Sequence, residues 1–200
     1  MSNVFSFFLK RKVQTISFRH FFTTFANNKR PSSPTLFTLS KTIHMKVLLL
    51  VVGKTTDKHI SACIDDYAGR TGHYLPFSIQ VIPELKNTKN MSVSQQKEHE
   101  GEMILKQLSD IDHVVLLDEH GMERRSVEFA SWLEKKQQTV RRLVFVVGGP
   151  YGFSEDVYAR GNEKISLSRM TFSHQMVRLV FVEQIYRACT IIKGEPYHHE

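Results

Sequence analysis

Three short runs of this chain, residues 47–52, 114–117 and 143–147, are apolar at every position, and nothing else in the sequence constrains the fold as much. A strand with one wet face alternates apolar and polar residues. A strand without a polar position is covered on both faces, as in the centre of a parallel sheet. Two less uniform strand candidates follow the same spacing, at 77–82 and near 165–167. Helical patterns fill the intervals at 57–74, 92–108, 126–136, briefly after Ser154, and at 174–192. Ser126 with Glu128, and Ser154 with Glu155 and Asp156, place polar acceptors where helices begin. The expectation is one α/β domain without internal repeats, of a size that buries a substantial core.

That domain does not use the whole chain. Of the 27 Lys and Arg, seven lie in residues 1–44, where none of the 20 acidic residues falls. From Met45 onward, 20 bases therefore meet 20 acids, and the formal charge of +7 belongs to the leader. The leader also holds eight of the 14 Phe and a Pro31-Ser32-Ser33-Pro34 break. Such composition suits a disordered extension, an upstream segment not made natively, or an organellar transit peptide. Met45 opens directly into a strand and is the expected start of the domain. On that basis the location is cytoplasmic, or organellar if the leader is a transit signal.

No run approaches a membrane span. Cys63 and Cys189 have no CxxC partner and read as buried thiols. The scattered histidines lack metal-ligand spacing, so no metal is expected.

In parallel α/β folds ligands sit beyond the carboxyl ends of the strands. Gly53-Lys54-Thr55 matches the end of a phosphate loop, but Leu48 stands where its leading glycine belongs, which argues against a nucleotide triphosphatase. After Leu117 come Asp118-Glu119-His120-Gly121, where an acid could orient a ribose hydroxyl. After Val147 come Gly148-Gly149-Pro150-Tyr151-Gly152, a glycine-rich turn that allows close backbone approach without matching the dinucleotide fingerprint. The last helix is apolar around nearly its whole circumference, which suggests burial on several sides and a subunit interface. Its exceptions are Arg178, near the preceding loop and suited to an anionic ligand, and Glu183 with Arg187, spaced as an ion pair.

The order and spacing of V-V-G-K at the first strand, L-L-D at 116–118, F-V-V-G-G-P at 145–150, S-R-M-T-F-S-H-Q-M-V-R at 168–178, E-Q-I-Y-R-A at 183–188 and the terminal E-P-Y-H-H-E resemble one family. It is the RlmH family of SPOUT-class methyltransferases, which act on pseudouridine in 23S ribosomal RNA, and the resemblance runs over residues 45–200. It implies an α/β fold with a SPOUT-type parallel sheet, a C-terminal trefoil knot and a homodimer. It implies S-adenosyl-L-methionine as cofactor, held by Leu117, Gly148, Leu167, Ser168, Arg169, Met170, Thr171 and Phe172. The implied reaction is methyl transfer to N3 of a pseudouridine in large-subunit helix 69 of the assembled ribosome. Arg178, with Tyr197 and His198 from the partner subunit's tail, are the expected catalytic residues, and His174 competes for the proton. Two positions depart from the family pattern: Ser173 replaces the usual Pro, and His199 the usual Arg or Lys. A noncatalytic RNA- or nucleotide-binding module, or a methyltransferase of tRNA, are the alternatives.

Overall fold

The computed structural model describes residues 45–199, so the expected leader lies outside the described residues. Five strands, β1 (Lys46–Val52), β2 (Phe77–Ile82), β3 (His113–Glu123), β4 (Arg142–Val147) and β5 (Glu163–Ser166), form one sheet in the order β2-β1-β4-β3-β5. Every pairing is parallel. The three continuously apolar runs occupy the three inner positions, as their composition requires.

Among the described residues, four α-helices connect successive strands, α1 (Lys58–Gly72), α2 (Val93–Leu105), α3 (Ser126–Thr139) and α4 (Glu155–Arg160), and a fifth, α5 (Met176–Lys193), follows β5. Alternate residues of each inner strand feed opposite layers. Val47, Leu49, Val51, Val115, Leu143 and Phe145 face the layer of α1, α3 and α5. Leu48, Leu50, Val114, Leu116, Val144 and Val146 face that of α2 and α4.

The helix starts are specified locally. Asp57 accepts from the backbone of His59 and Ile60, and Ser92 and Gln95 form a reciprocal capping box. Ser154 accepts from Val157 N as anticipated, and α3 begins at Ser126 as expected, with Arg125 in the cap position. There Glu128 reaches back to Arg125 N, and Ser126 Oγ is free to donate to Gln184 on α5. Helix α5 ends at Gly194 in the left-handed region, φ 69°, where a Cβ would be strained.

Three features differ from the sequence expectation. Helix α5 lies against both α1 and α3, so most of its apolar circumference is satisfied within one chain and does not by itself require a partner. Cys63 is exposed on α1, while Cys189 is buried as expected and its thiol is pushed up to about 12 by burial. Strand β3 runs six residues past Leu117. It pairs with β5 through Leu117, departs over 118–121, and resumes with Met122 opposite the same Ile165. Residues 117–122 thus stand against the single Ile165, a wide irregularity that re-aims the chain beside the edge strand. Gly121 makes it possible, because a Cβ there would lie 2.5 Å from the carbonyl carbon of Ile165.

Candidate active site at the strand ends

The detour of β3, the glycine turn after β4 and the loop after β5 surround a cavity of about 450 Å³. Leu117, Val147, Ile165 and Leu167 line it at the ends of the strands, and the glycine turn, Asp118, Tyr158 and the run 168–172 complete its lining. Gly148 is needed for close packing: a Cβ there would come within 3.0 Å of the Phe153 ring. At Gly149 a Cβ would come within 2.3 Å of a Glu100 carboxylate oxygen, and Gly152 adopts φ 80°. The turn closes on itself, Gly152 N donating to Gly149 O.

The loop after β5 is organised by its serines. Ser166 Oγ donates to Ser168 O, and Ser168 Oγ accepts from Met170 N. Ser173 Oγ accepts from Met176 N at 3.3 Å, so the residue in place of the usual Pro adds a hydrogen bond at the start of α5. Across the cavity, Asp118 accepts from Tyr158 at 2.6 Å and from its own loop at His120 N. Burial together with Asp118 pushes the Tyr158 phenol up to about 12, so it stays a hydrogen-bond donor at neutral pH. This engagement fixes the carboxylate as a wall of the cavity.

Seven of the eight expected cofactor residues, Leu117, Gly148, Leu167, Ser168, Met170, Thr171 and Phe172, line this cavity. Arg169 does not, for its side chain points outward, 90% exposed, and pairs with Glu123 at 3.1 Å. Strand-end reasoning could have added Val147 and Ile165. Phe153 and Tyr158, from the turn and α4, carry no sequence signal and were missed. His174 and Val177 also line the cavity.

The three expected catalytic residues are not brought together within one chain. Arg178 is 3% exposed and lies outside the cavity lining. Its Nη2 donates to Val52 O at 2.6 Å and its Nη1 to Thr55 Oγ1 at 3.0 Å, leaving Nε–H buried without an acceptor. Burial lowers its pKa, against the attraction of Glu84. Tyr197 is held against α1 and α5: its hydroxyl donates to Glu183 at 3.0 Å and lies 3.3 Å from that of Tyr67. Arg187 pairs with Glu183 at 2.5 Å and covers the Tyr197 ring. His198 follows, its Nδ1 buried and without a partner, and neither tail residue lines the cavity of its own chain.

A glycine-rich turn and two loops of mixed polar and apolar lining meet at the carboxyl ends of parallel strands, the place where three-layered α/β proteins hold their ligands. The model of the predicted SPOUT methyltransferases matches residues 45–198, and the chain belongs to that family. It is 64% identical to the ribosomal RNA large subunit methyltransferase H of Phocaeicola vulgatus and 63% identical to that of Bacteroides thetaiotaomicron. Each match covers 157 residues, 78% of this chain and 100% of the relative. Among solved structures, a probable methyltransferase from Bordetella pertussis Tohama I overlays with a TM-score of 0.46 at 8% identity, over 74% of this chain and 96% of that one, too distant to carry weight.

Proposed function

We propose that this chain methylates N3 of a pseudouridine in 23S rRNA, in helix 69 of the assembled large subunit, with S-adenosyl-L-methionine as donor. The observation that carries the reading is the convergence of Leu117, Gly148, Leu167, Ser168, Met170, Thr171 and Phe172 on one cavity in a chain of this family. The residues suit the cofactor. About 450 Å³ lies within the range of small-molecule sites, backbone groups can meet an adenine edge, and Leu117 and Leu167 can meet its face. When bound, the cofactor supplies an electrophilic methyl group on a sulfonium.

The protein's own tasks are orientation and charge. The glycine turn packs closely against Phe153 and Glu100 and so fixes one side of the cavity, and the serine-bonded loop of 166–170 holds another. The imino nitrogen of the base must lose its proton to become nucleophilic. His198 is proposed to accept it, since an imidazole can take a proton near neutrality. Tyr197, immobilised by Glu183 and Tyr67, places the nucleotide. Arg178 contributes positive charge behind the cavity and fixes the β1–α1 connection. Because the tail lies outside its own chain's cavity, the site is proposed to be completed in a homodimer whose C-terminal segment is knotted. The neutral charge of the domain suits recognition of a structured ribosomal surface better than of naked RNA.

Mass-spectrometric mapping of rRNA from a strain lacking the gene tests the reaction. Loss of the N3-methyl mark supports it, and its persistence overturns the substrate. Titration calorimetry with S-adenosyl-L-methionine tests the donor: no heat of binding at millimolar cofactor would favour a noncatalytic module, and methylation confined to tRNA the other alternative.

A further inference from the structure

The Gly53-Lys54-Thr55 motif is not explained by a phosphate loop, nor is it part of the cavity. Its surroundings give it another use. Gly53 adopts φ 78°, and a Cβ on it would lie 2.3 Å from a Glu84 carboxylate oxygen, so the chain turns sharply as it leaves β1. The connection that follows is fastened to the far end of the cofactor loop. Gln175 Oε1 accepts from Thr56 N at 3.0 Å and Asp57 N at 3.1 Å, and its Nε2 donates to Thr56 Oγ1 at 2.9 Å. Arg178 adds its bonds to Thr55 Oγ1 and Val52 O. These two anchors flank Val177 and follow His174, both of which line the cavity. The β1–α1 connection is therefore fastened to a segment whose neighbouring residues His174 and Val177 line the cavity.

Its charges are arranged for an anion outside the protein. Lys54, Lys58 and His59 are all exposed. Asp57, the acid among them, is engaged as the α1 N-cap, and its pKa is lowered by the backbone N–H groups of Ile60 and His59. Glu84 stands against Gly53 and attracts Arg178. Among the described residues, neither Lys54 nor Lys58 has an ion-pair partner. Moreover, α1 carries no acid in its first turn, where Lys58 opposes the helix dipole. Folding alone does not account for a lysine there.

We infer that Lys54 and Lys58 contact backbone phosphates of the large-subunit rRNA beside the target nucleotide, on a loop that Gln175 and Arg178 hold in register with the cofactor loop. The inference rests on the rRNA methyltransferase reading. In a domain with no net charge, such a local pair is what can steer a polyanion to one edge.

The test uses the full chain with isolated large ribosomal subunits, comparing the parent, the double variant Lys54→Ala/Lys58→Ala and the charge-retaining Lys54→Arg/Lys58→Arg. Binding is measured across a range of salt, methyl transfer from labelled S-adenosyl-L-methionine is followed in parallel, and cofactor affinity is taken from calorimetry. The alanine variant is expected to bind about fivefold to tenfold more weakly at physiological salt and to lose about 1.5 from the slope of log K against log salt, roughly 0.7–0.9 per phosphate. KM should rise with little change in kcat, cofactor affinity should be unchanged, and the arginine variant should restore the slope. An unaltered salt slope in the alanine variant overturns the inference, whether or not the parent methylates. A parent that binds but transfers no methyl group refutes the proposed reaction instead, and a parent that does not bind refutes both.

Discussion

Single positions at the site are constrained by what a few atoms would meet. A methyl group on Gly121 has no room, because the nearest atoms are the backbone of Ile165 and Ser166, which cannot rotate away. Gly121→Ala must push β3 off β5 and distort the cavity wall. Overpacking of this kind costs about 1–3 kcal/mol, and the expected result is a lower urea midpoint accompanied by weaker cofactor binding. A normal midpoint would show that the detour of β3 is not held by this contact. Glu100 is constrained differently: its carboxylate lies against Gly149, and burial followed by repulsion from Glu84 raises its pKa. The folded protein then holds the proton more tightly than the unfolded chain. Between the ordinary carboxylate value near 4.5 and the raised one, stability falls as pH increases, leaving a penalty at neutral pH. Glu100→Gln should therefore raise the urea midpoint at pH 7 and flatten its fall above pH 4.5. An unchanged profile would mean that the carboxyl titrates normally.

At the level of elements, α5 links core and site. Phe181 is wholly buried, its ring centroid 4.6 Å from that of Phe145 at the centre of β4, while one turn earlier Val177 lines the cavity. Phe181→Ala removes a ring that its neighbours on α1, α3 and β4 cannot replace. A loss of about 3–5 kcal/mol is expected from denaturant unfolding, and a loss below 1 kcal/mol would mean that the core collapses around the gap. The apolar pattern of α5 was legible in the sequence, but what covered it was not. Periodicity records that a face is buried, never by which neighbour, and α1 with α3 satisfy much of it. The inner strands were legible because continuous apolarity admits few alternatives. The extension of β3 was not, since 118–121 has the polar composition of a loop and pairing resumes only through a close backbone approach at Gly121. In the site, the run 167–172 was found through its motif, which could not distinguish the outward Arg169 from its cavity-lining neighbours. Tyr158 escaped because a lone tyrosine on a six-residue helix has no pattern to betray it.

For the whole molecule, the decisive question is where the tail acts. Tyr197 is tied to Glu183 and Tyr67, its ring lies 4.8 Å from that of Tyr186, and Glu195 accepts from Tyr74 at 2.5 Å. These contacts spread over α1, Tyr74 just beyond it and the middle of α5, so the tail cannot swing to its own cavity without losing several of them together. Around that cavity the chain leaves apolar side chains in water, with Met170 77%, Phe172 36% and Met176 39% exposed. In the proposed homodimer a second copy covers this rim and brings its own tail to it. The prediction is complementation between two inactive variants, one blocked in the cavity by Gly148→Val and the other lacking the tail imidazole through His198→Ala. Random pairing of equal amounts makes half of the dimers mixed, and each mixed dimer has one site with an intact cavity facing an intact tail. Activity should therefore return to about a quarter of the wild-type sites, as expected for a two-fold assembly with shared sites. If the tail served its own chain, every mixed dimer would carry two damaged sites and mixing would restore nothing. Recovery of the mixed dimer through a different tag on each variant ensures that a null result reflects the placement of the tail and not a failure to pair.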